Sequence, residues 1–227
     1  MAVGLTLSVA VLGLQSVVGD YYSGDGHGLS VNLSLRSDAS FSFSRGGHLG
    51  QLAAIEGHAR LEGSSLHLEP AATLPHAEAE LLPRKLVVVP WDERVYLVPD
   101  EEGPLFAAHV TRGREPRNVI YGWFLLRRSD WQKAASGLPE LPHAWQKWLL
   151  QRPVDARIIR ALARHRAEID AGDKQGLHPG VLLTLVSKQY GPSDVRVVSV
   201  ATDSSIIEND YGDPPLLIGW RVTSRAP

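Results

Sequence analysis

The sequence predicts a mainly β protein: an N-terminal antiparallel small barrel or sandwich, a short helical linker and a C-terminal small β-barrel. Two observations predict this class. Apolar and polar residues alternate with period two over several short runs, and polar or glycine-rich turns separate these runs in pairs. At 227 residues the chain is long enough for two domains. We expect them at 20–126 and 154–227, joined by a linker at 127–153.

The composition narrows the class of protein. Apolar residues make up 44% of the chain and charged residues 21%, which is ordinary for a globular protein. The formal net charge of −2 gives no basic excess, and this argues against nucleic acid as a partner. The chain contains no cysteine, which excludes disulfides, thiolate metal sites and a lipoprotein anchor. We expect no cofactor.

The first 19 residues carry no charged side chain and are rich in leucine and valine. Three interpretations stay open: a signal peptide cleaved near Ser16, Val17 or Gly19, a buried first element of the fold, or a short membrane anchor. The signal peptide is preferred, although it lacks the usual basic residue. We therefore expect an extracytoplasmic protein, periplasmic or secreted, without a stable transmembrane anchor.

The N-terminal domain contains three predicted antiparallel hairpins. Each consists of two apolar runs, mostly alternating, on either side of a turn rich in glycine, proline or polar residues. The hairpins comprise residues 29–35 with 41–44, 55–61 with 66–68, and 86–89 with 95–98. Such a meander buries one face, so it must close into a barrel or pack on a second layer.

The linker and the C-terminal domain follow. Trp145, Trp148 and Leu149 have helical spacing, which predicts a short amphipathic helix in the linker. Residues 154–170 are ambiguous, and their local pattern favours helix. Apolar or alternating runs at 181–186, 195–200 and 216–224 then predict a second β unit.

Two stretches carry a resemblance to known proteins. VGDYYSGDGHGLSVNLSLRSDASFSFSRGGHLG, followed by EGHARLEGSSLHLEP, resembles the opening of an uncharacterised bacterial family of exported proteins with a lipocalin-like start. AEIDAGDKQGLHPGVLLTLV through GWRVTSR resembles the small SH3-like C-terminal barrels of envelope and flagellar-assembly proteins. The second resemblance implies strands at 156–162 and 166–169, and we adopt this over the local helix pattern. Neither resemblance implies catalytic residues.

The candidate ligand site lies at the GDGHG turn, residues 24–28, whose glycines favour a tight turn. Asp25 and His27 could sit at a barrel rim, with His48 and Trp123 as further ligand contacts. An alternative is a metal site, because imidazole is the commonest metal ligand in proteins. That site would use His27, His48 and His58, but no motif with metal-binding spacing supports it.

A second candidate is a partner contact. Arg112, Arg114 and Arg117 form a local basic cluster that could meet an anionic group. No nucleophile turn of the GxSxG kind is present, so no catalytic residue is predicted. The expected function is a non-enzymatic extracytoplasmic protein that binds a small ligand or an envelope partner through its β-barrels. The alternative is a metal-dependent hydrolase at the rim of the N-terminal unit.

Overall fold

The computed structural model describes residues 13–24, 28–48, 50–113, 116, 124–187, 189–209 and 214–225. It is mainly β and contains two closed antiparallel barrels, one of eight strands and one of six. The predicted fold class is confirmed. The chain divides into two compact units, Met1–Asp100 with Asn118–Ala134 and Glu101–Arg117 with Ala135–Pro227.

The first barrel is an up-and-down meander in which each strand pairs with the next along the chain. Its strands are β1 Gly19–Gly24, β2 Ser30–Leu35, β3 Ser40–Gly47, β4 Gly50–Glu62, β5 Ser65–Pro70, β6 Lys85–Trp91, β7 Arg94–Pro99 and β8 Leu125–Arg127. β8 pairs with β1 through Tyr21 and Arg127 and closes the barrel. All three predicted hairpins are present, as β2–β3, β4–β5 and β6–β7.

Apolar side chains fill the interior of the first barrel. Leu33, Phe41 and Leu66 are fully buried there, and Phe43 is 2% exposed. An eight-stranded barrel is just wide enough for its own side chains to fill it. The alternate residues of β2, β3 and β4 face outward, and on β2 and β3 they are mostly serine. A polar outer wall is therefore the accessible part of these strands.

β6 and β7 differ from the other strands because both of their faces are buried. Val87, Val89, Tyr96 and Val98 alternate with the inward residues and are still at most 3% exposed. Burial on both faces explains why these strands are continuous apolar runs rather than alternating ones. The polar outer wall of the first barrel accordingly lies on the side of β1 to β5.

The apolar start of the chain is described from Gly13 onward. A 3-10 helix at Leu14–Val17 leads into β1, and Val17 is 1% exposed within the barrel core. The hydroxyl of Tyr21 donates a hydrogen bond to the Val17 carbonyl at 2.8 Å. Burial raises the pKa of Tyr21, so this hydroxyl stays protonated and remains a donor. Residues 1–12 lie outside the described residues.

Within the described ranges, three short α-helices lie outside the barrels: α1 His76–Ala79, α2 Gly103–Thr111 and α3 His143–Gln146. α3 is the helix predicted in the linker, but it ends before Trp148. α2 was not predicted, and it groups with the second unit although 20–126 was the expected first domain. Across the described part of the chain, no helix has the length and apolar character needed to cross a membrane.

The second barrel has six strands. They are β9 Asp155–Ala163, β10 Arg166–Ile169, β11 Leu182–Val186, β12 Ser193–Val200, β13 Ser205–Glu208 and β14 Arg221–Thr223. β9 pairs with β14 on one side and β10 on the other, closing the sheet. The local helix pattern of 154–170 is therefore wrong and the strand assignment is confirmed, because pairing on both sides outweighs intrinsic helix propensity.

Candidate functional site

The outer wall of the first barrel carries a depression of about 600 Å³ over β2, β3 and β4. We call it the outer-wall depression. Its lining on the strands is mostly polar, and the segment that follows β5 contributes only apolar residues. The lining residues are Asn32, Ser34, Ser42, Phe43, Ser44, Ala54, Ile55, Glu56, Ala71, Ala72 and Leu74. The volume falls within the range of small-molecule sites in proteins.

Strand register places the polar side chains of the depression in rows. Ser34 pairs with Ser42, which in turn pairs with Glu56, and Asp20 on β1 continues this row on the far side of Ser34. All of these positions face outward, since their neighbours along each strand fill the core. Serine is short, so the row leaves space above the sheet where longer side chains would fill it.

A second row runs parallel to the first, two residues away along each strand. In it Tyr22 pairs with Asn32, Asn32 with Ser44, and Ser44 with Ala54. The Asn32 side-chain nitrogen donates to the Ser44 hydroxyl at 3.4 Å. The depression therefore has a floor of hydroxyl and amide groups that can both donate and accept hydrogen bonds.

A group of aromatic and cationic side chains adjoins the depression at Asn32. The guanidinium of Arg128 donates to the Asn32 side-chain oxygen at 2.9 Å and lies 4.8 Å from the centre of the Tyr22 ring. Tyr22 and Trp131 are tilted against each other with ring centres 5.8 Å apart, and Trp131 is 39% exposed. An exposed aromatic face beside polar groups can contact the apolar face of a ligand while those groups bind its polar substituents.

One edge of the depression is formed by the segment after β5. The Ala71 amide donates to the Glu56 carbonyl at 2.9 Å, which holds this segment against β4. Ala72 and Leu74 follow, and Leu74 packs partly into the barrel core. The segment is thus fixed at both its start and its end, and the depression has a defined wall on this side.

Hydrogen-bonding groups lie next to one another at the depression. The Ser34 hydroxyl donates to a carboxylate oxygen of Asp20 at 2.6 Å. Glu56, which lines the depression, is exposed. The described lining therefore presents hydroxyl, amide and carboxylate groups that can form hydrogen bonds with a bound molecule.

Several of the residues proposed from the sequence lie outside the described residues. These are Asp25, His27, Trp123, Arg114 and Arg117. Of the ligand candidates, His48 is described: it is exposed, and its imidazole lies where a side chain on Gly28 would be. Gly28, before β2, and His48, after β3, therefore meet at one end of the first barrel. His48 is not part of the outer-wall depression.

The histidines of the metal alternative are far apart. His48 follows the end of β3 at Gly47, whereas His58 pairs with Ser40 at the start of β3. Seven residues of strand separate Gly47 from Ser40, which is about 23 Å and too far for one ion. In the ranges that the structure describes, no three histidine or carboxylate side chains are grouped as a metal site requires.

Arg112, the described member of the basic cluster, makes a contact within its own unit. Its guanidinium lies 2.7 Å from a carboxylate oxygen of Asp194, and its side chain is only 5% exposed. This ion pair contributes to packing within the second unit, and the partner contact predicted at Arg112 stays a prediction. The position of Arg112 after α2 ties that helix to β12.

Sequence reasoning missed the outer-wall depression. The period-two pattern did place Ser30, Asn32 and Ser34 on the face opposite the core, but it does not fix which serines of β2 and β3 become neighbours. Register supplies that information. In comparisons with known proteins, no protein-family model and no curated protein matches this chain, and no solved structure matches it.

Proposed function

We propose that this chain is a non-enzymatic binding protein that holds a small, polar, hydroxyl-bearing ligand of the saccharide class in the outer-wall depression. The observation that carries the proposal is the floor of short hydroxyl and amide side chains, Asn32, Ser34, Ser42 and Ser44, beneath about 600 Å³ of space. Solvent-exposed strand positions can carry side chains of any length, so the fold itself does not require the short ones that leave this space open.

The charges and aromatics around the depression support this ligand class. The carboxylate of Glu56 lines the depression and can accept hydrogen bonds from ligand hydroxyls, while Asp20, at the other end of the same row, accepts from Ser34. Arg128 donates to the Asn32 side-chain oxygen, and its remaining N–H groups can donate to oxygen atoms of a ligand. The exposed ring of Trp131 suits the apolar face of a sugar.

The proposal also covers the type of each barrel and the cellular compartment of the protein. The first barrel would be a lipocalin-like module, because eight strands in up-and-down order are also the lipocalin arrangement. The second would be an SH3-like module of the envelope type. The charge-free start of the chain supports export and an extracytoplasmic location. The ligand would differ from that of a lipocalin in lying outside the barrel, since side chains fill the interior.

The first experiment is a titration of the isotopically labelled protein with a panel of mono- and oligosaccharides, followed by amide chemical shifts. We expect shifts concentrated on β2, β3 and residues 71–74. A variant carrying Ser42→Leu and Ser44→Leu fills the depression without touching the core, and its affinity for the best sugar should fall at least about tenfold, or 1.4 kcal/mol.

The matched control is Gln51→Leu. Gln51 is also exposed and outward-facing on the first barrel, but it does not line the depression. This variant should bind as the wild type does. The proposal fails if no sugar of the panel shifts the amides of β2 and β3, or if the double serine variant and the control bind equally well.

A further inference from the structure

The second unit contains a cleft of about 320 Å³ that is separate from the outer-wall depression. It lies between the segment that includes the end of α3 and the loop that precedes β11. Its lining is rich in basic and amide side chains. The lining residues are Gln146, Lys147, Leu149, Gln151, Arg152, Lys174, Gln175, Gly176 and His178. We call it the basic cleft.

The charge of the basic cleft is one-sided. Lys147, Arg152 and Lys174 line it together with His178, and the described lining contains no aspartate or glutamate. Lys174 makes an ion pair with Asp203 at 2.7 Å, outside the lining, and both side chains are more than 60% exposed. An exposed pair of this kind is worth little, so Lys174 can turn to a ligand at small cost.

Hydrogen bonds join the two walls of the cleft and hold each wall in place. The indole nitrogen of Trp148 donates to the Pro179 carbonyl at 3.1 Å, joining the wall after α3 to the loop before β11. The Leu150 amide donates to the Thr111 hydroxyl at 3.3 Å. On the other wall, the Gly172 amide donates to the Gln175 side chain at 2.8 Å. The cations are therefore carried by anchored segments.

A neighbouring glycine shows how closely the walls approach each other. A side chain on Gly180 would meet the indole nitrogen of Trp148 at 2.5 Å, so only glycine lets the ring lie against this loop. Trp148 also lies 4.9 Å, measured from its ring centre, from the ammonium of Lys147. This cation–π contact biases the position of Lys147 at the mouth of the cleft.

We propose that the basic cleft binds a small multivalent anion, such as a compound carrying phosphate or several carboxylates. Concave walls of one sign of charge concentrate the electrostatic potential on a bound ion, which a scattered set of surface lysines would not do. Arg152 is exposed and lines the cleft, so its guanidinium can form paired hydrogen bonds to a phosphate or carboxylate. The site is independent of the saccharide proposal, because the two lie in different units.

The test uses pyrophosphate and citrate as probes, each titrated into the labelled full-length protein at constant ionic strength. The two probes separate phosphate from carboxylate recognition, and the tighter one identifies the preferred class. We expect saturable amide shifts at residues 146–152 and 174–178. The Lys147→Gln and Arg152→Gln double variant should weaken binding at least about tenfold, since it removes two of the three cations.

The matched control is Arg157→Gln, which removes an exposed arginine of the same unit outside the cleft. It should leave the affinity unchanged. Shifts spread equally over Arg157 and the cleft would mean diffuse attraction of counter-ions, and would overturn the proposal. The proposal would also be overturned if neither probe gave a saturable response, or if the double variant and the control lost affinity equally. Failure of the sugar titration would leave this result untouched.

Discussion

The carboxylate of Asp130 accepts a hydrogen bond from the Nε atom of Arg127 at 2.8 Å, although Asp130 is completely buried. The same carboxylate accepts from the Lys133 ammonium at 2.6 Å and from the Val95 amide at 3.1 Å. Arg127 ends β8, and Val95 lies on β7. Asp130 therefore ties the segment after β8 to the neighbouring strand, near the place where the first barrel closes.

Asp130→Asn should destabilise the first barrel. Asparagine keeps the shape of the side chain and can still accept from Val95, but it loses the charge that Arg127 and Lys133 neutralise. We expect the free energy of unfolding to fall by about 2 kcal/mol, the scale of a hydrogen bond between charged groups. Urea unfolding measures this. The control is Glu69→Gln, whose side chain is 68% exposed and whose loss should cost under about 0.5 kcal/mol.

Acid should weaken the same connection. Burial alone acts to raise the pKa of Asp130, but hydrogen bonds from Lys133 and Arg127 outweigh it and hold the pKa below its usual range. Because the folded pKa is the lower one, the stabilisation is complete above the unfolded value of about 3.9 and is lost as the pH falls through the folded value. Melting temperatures between pH 6 and pH 2 should drop further in the wild type than in Asp130→Asn. Equal drops would contradict the assignment.

The strands of the first barrel could be predicted because each pattern is local. The alternation through Leu33 and Phe41, and the turns between the runs, are sufficient to identify hairpins. Closure into a barrel follows less directly, since β8 has only three residues and contains no alternation long enough to detect. Residues 154–170 show the opposite case: their alanines and arginines favour helix, and the pairing partner that overrides them, β14, lies some 60 residues later.

The sequence does contain a local signal for the start of α2. Pro104 stands near the first position of the helix, where a missing amide hydrogen costs nothing, and a short run of apolar residues follows it. The candidate sites had no comparable signal. The serine rows need the register of β2, β3 and β4, and the basic cleft joins Arg152 to Lys174 across more than 20 residues. Local spacing contains neither relationship.

Gly57→Ala should destabilise the first barrel through overcrowding. Gly57 faces inward on β4, where an added Cβ would clash first with the backbone carbonyl oxygen of Glu69. It would also lie 2.7 Å from a ring carbon of Phe41 and 2.8 Å from the Cα of Pro70. Phe41 is fully buried and cannot move aside, so we expect a loss of about 2–3 kcal/mol in urea unfolding. Gly13→Ala is the control, because nothing lies within 4 Å of its Cβ position and its φ is −77°. Similar effects of the two changes would rule out the crowding at Gly57.

The mature protein should keep the 3-10 helix before β1, even if a leader is removed on export. Val17 is 1% exposed, its carbonyl accepts from the buried Tyr21 hydroxyl at 2.8 Å, and the Ser16 carbonyl accepts from Arg127 at 3.1 Å. A chain that begins at Asp20 loses this buried valine and leaves the tyrosine hydroxyl without its acceptor. It should be about 2 kcal/mol less stable to urea than a chain that begins at Gly13. If the chain is exported as proposed, the intact mass of the mature protein tests this: we expect cleavage before Leu14, and a mature chain that starts after Val17 or Gly19 would show that the helix is dispensable.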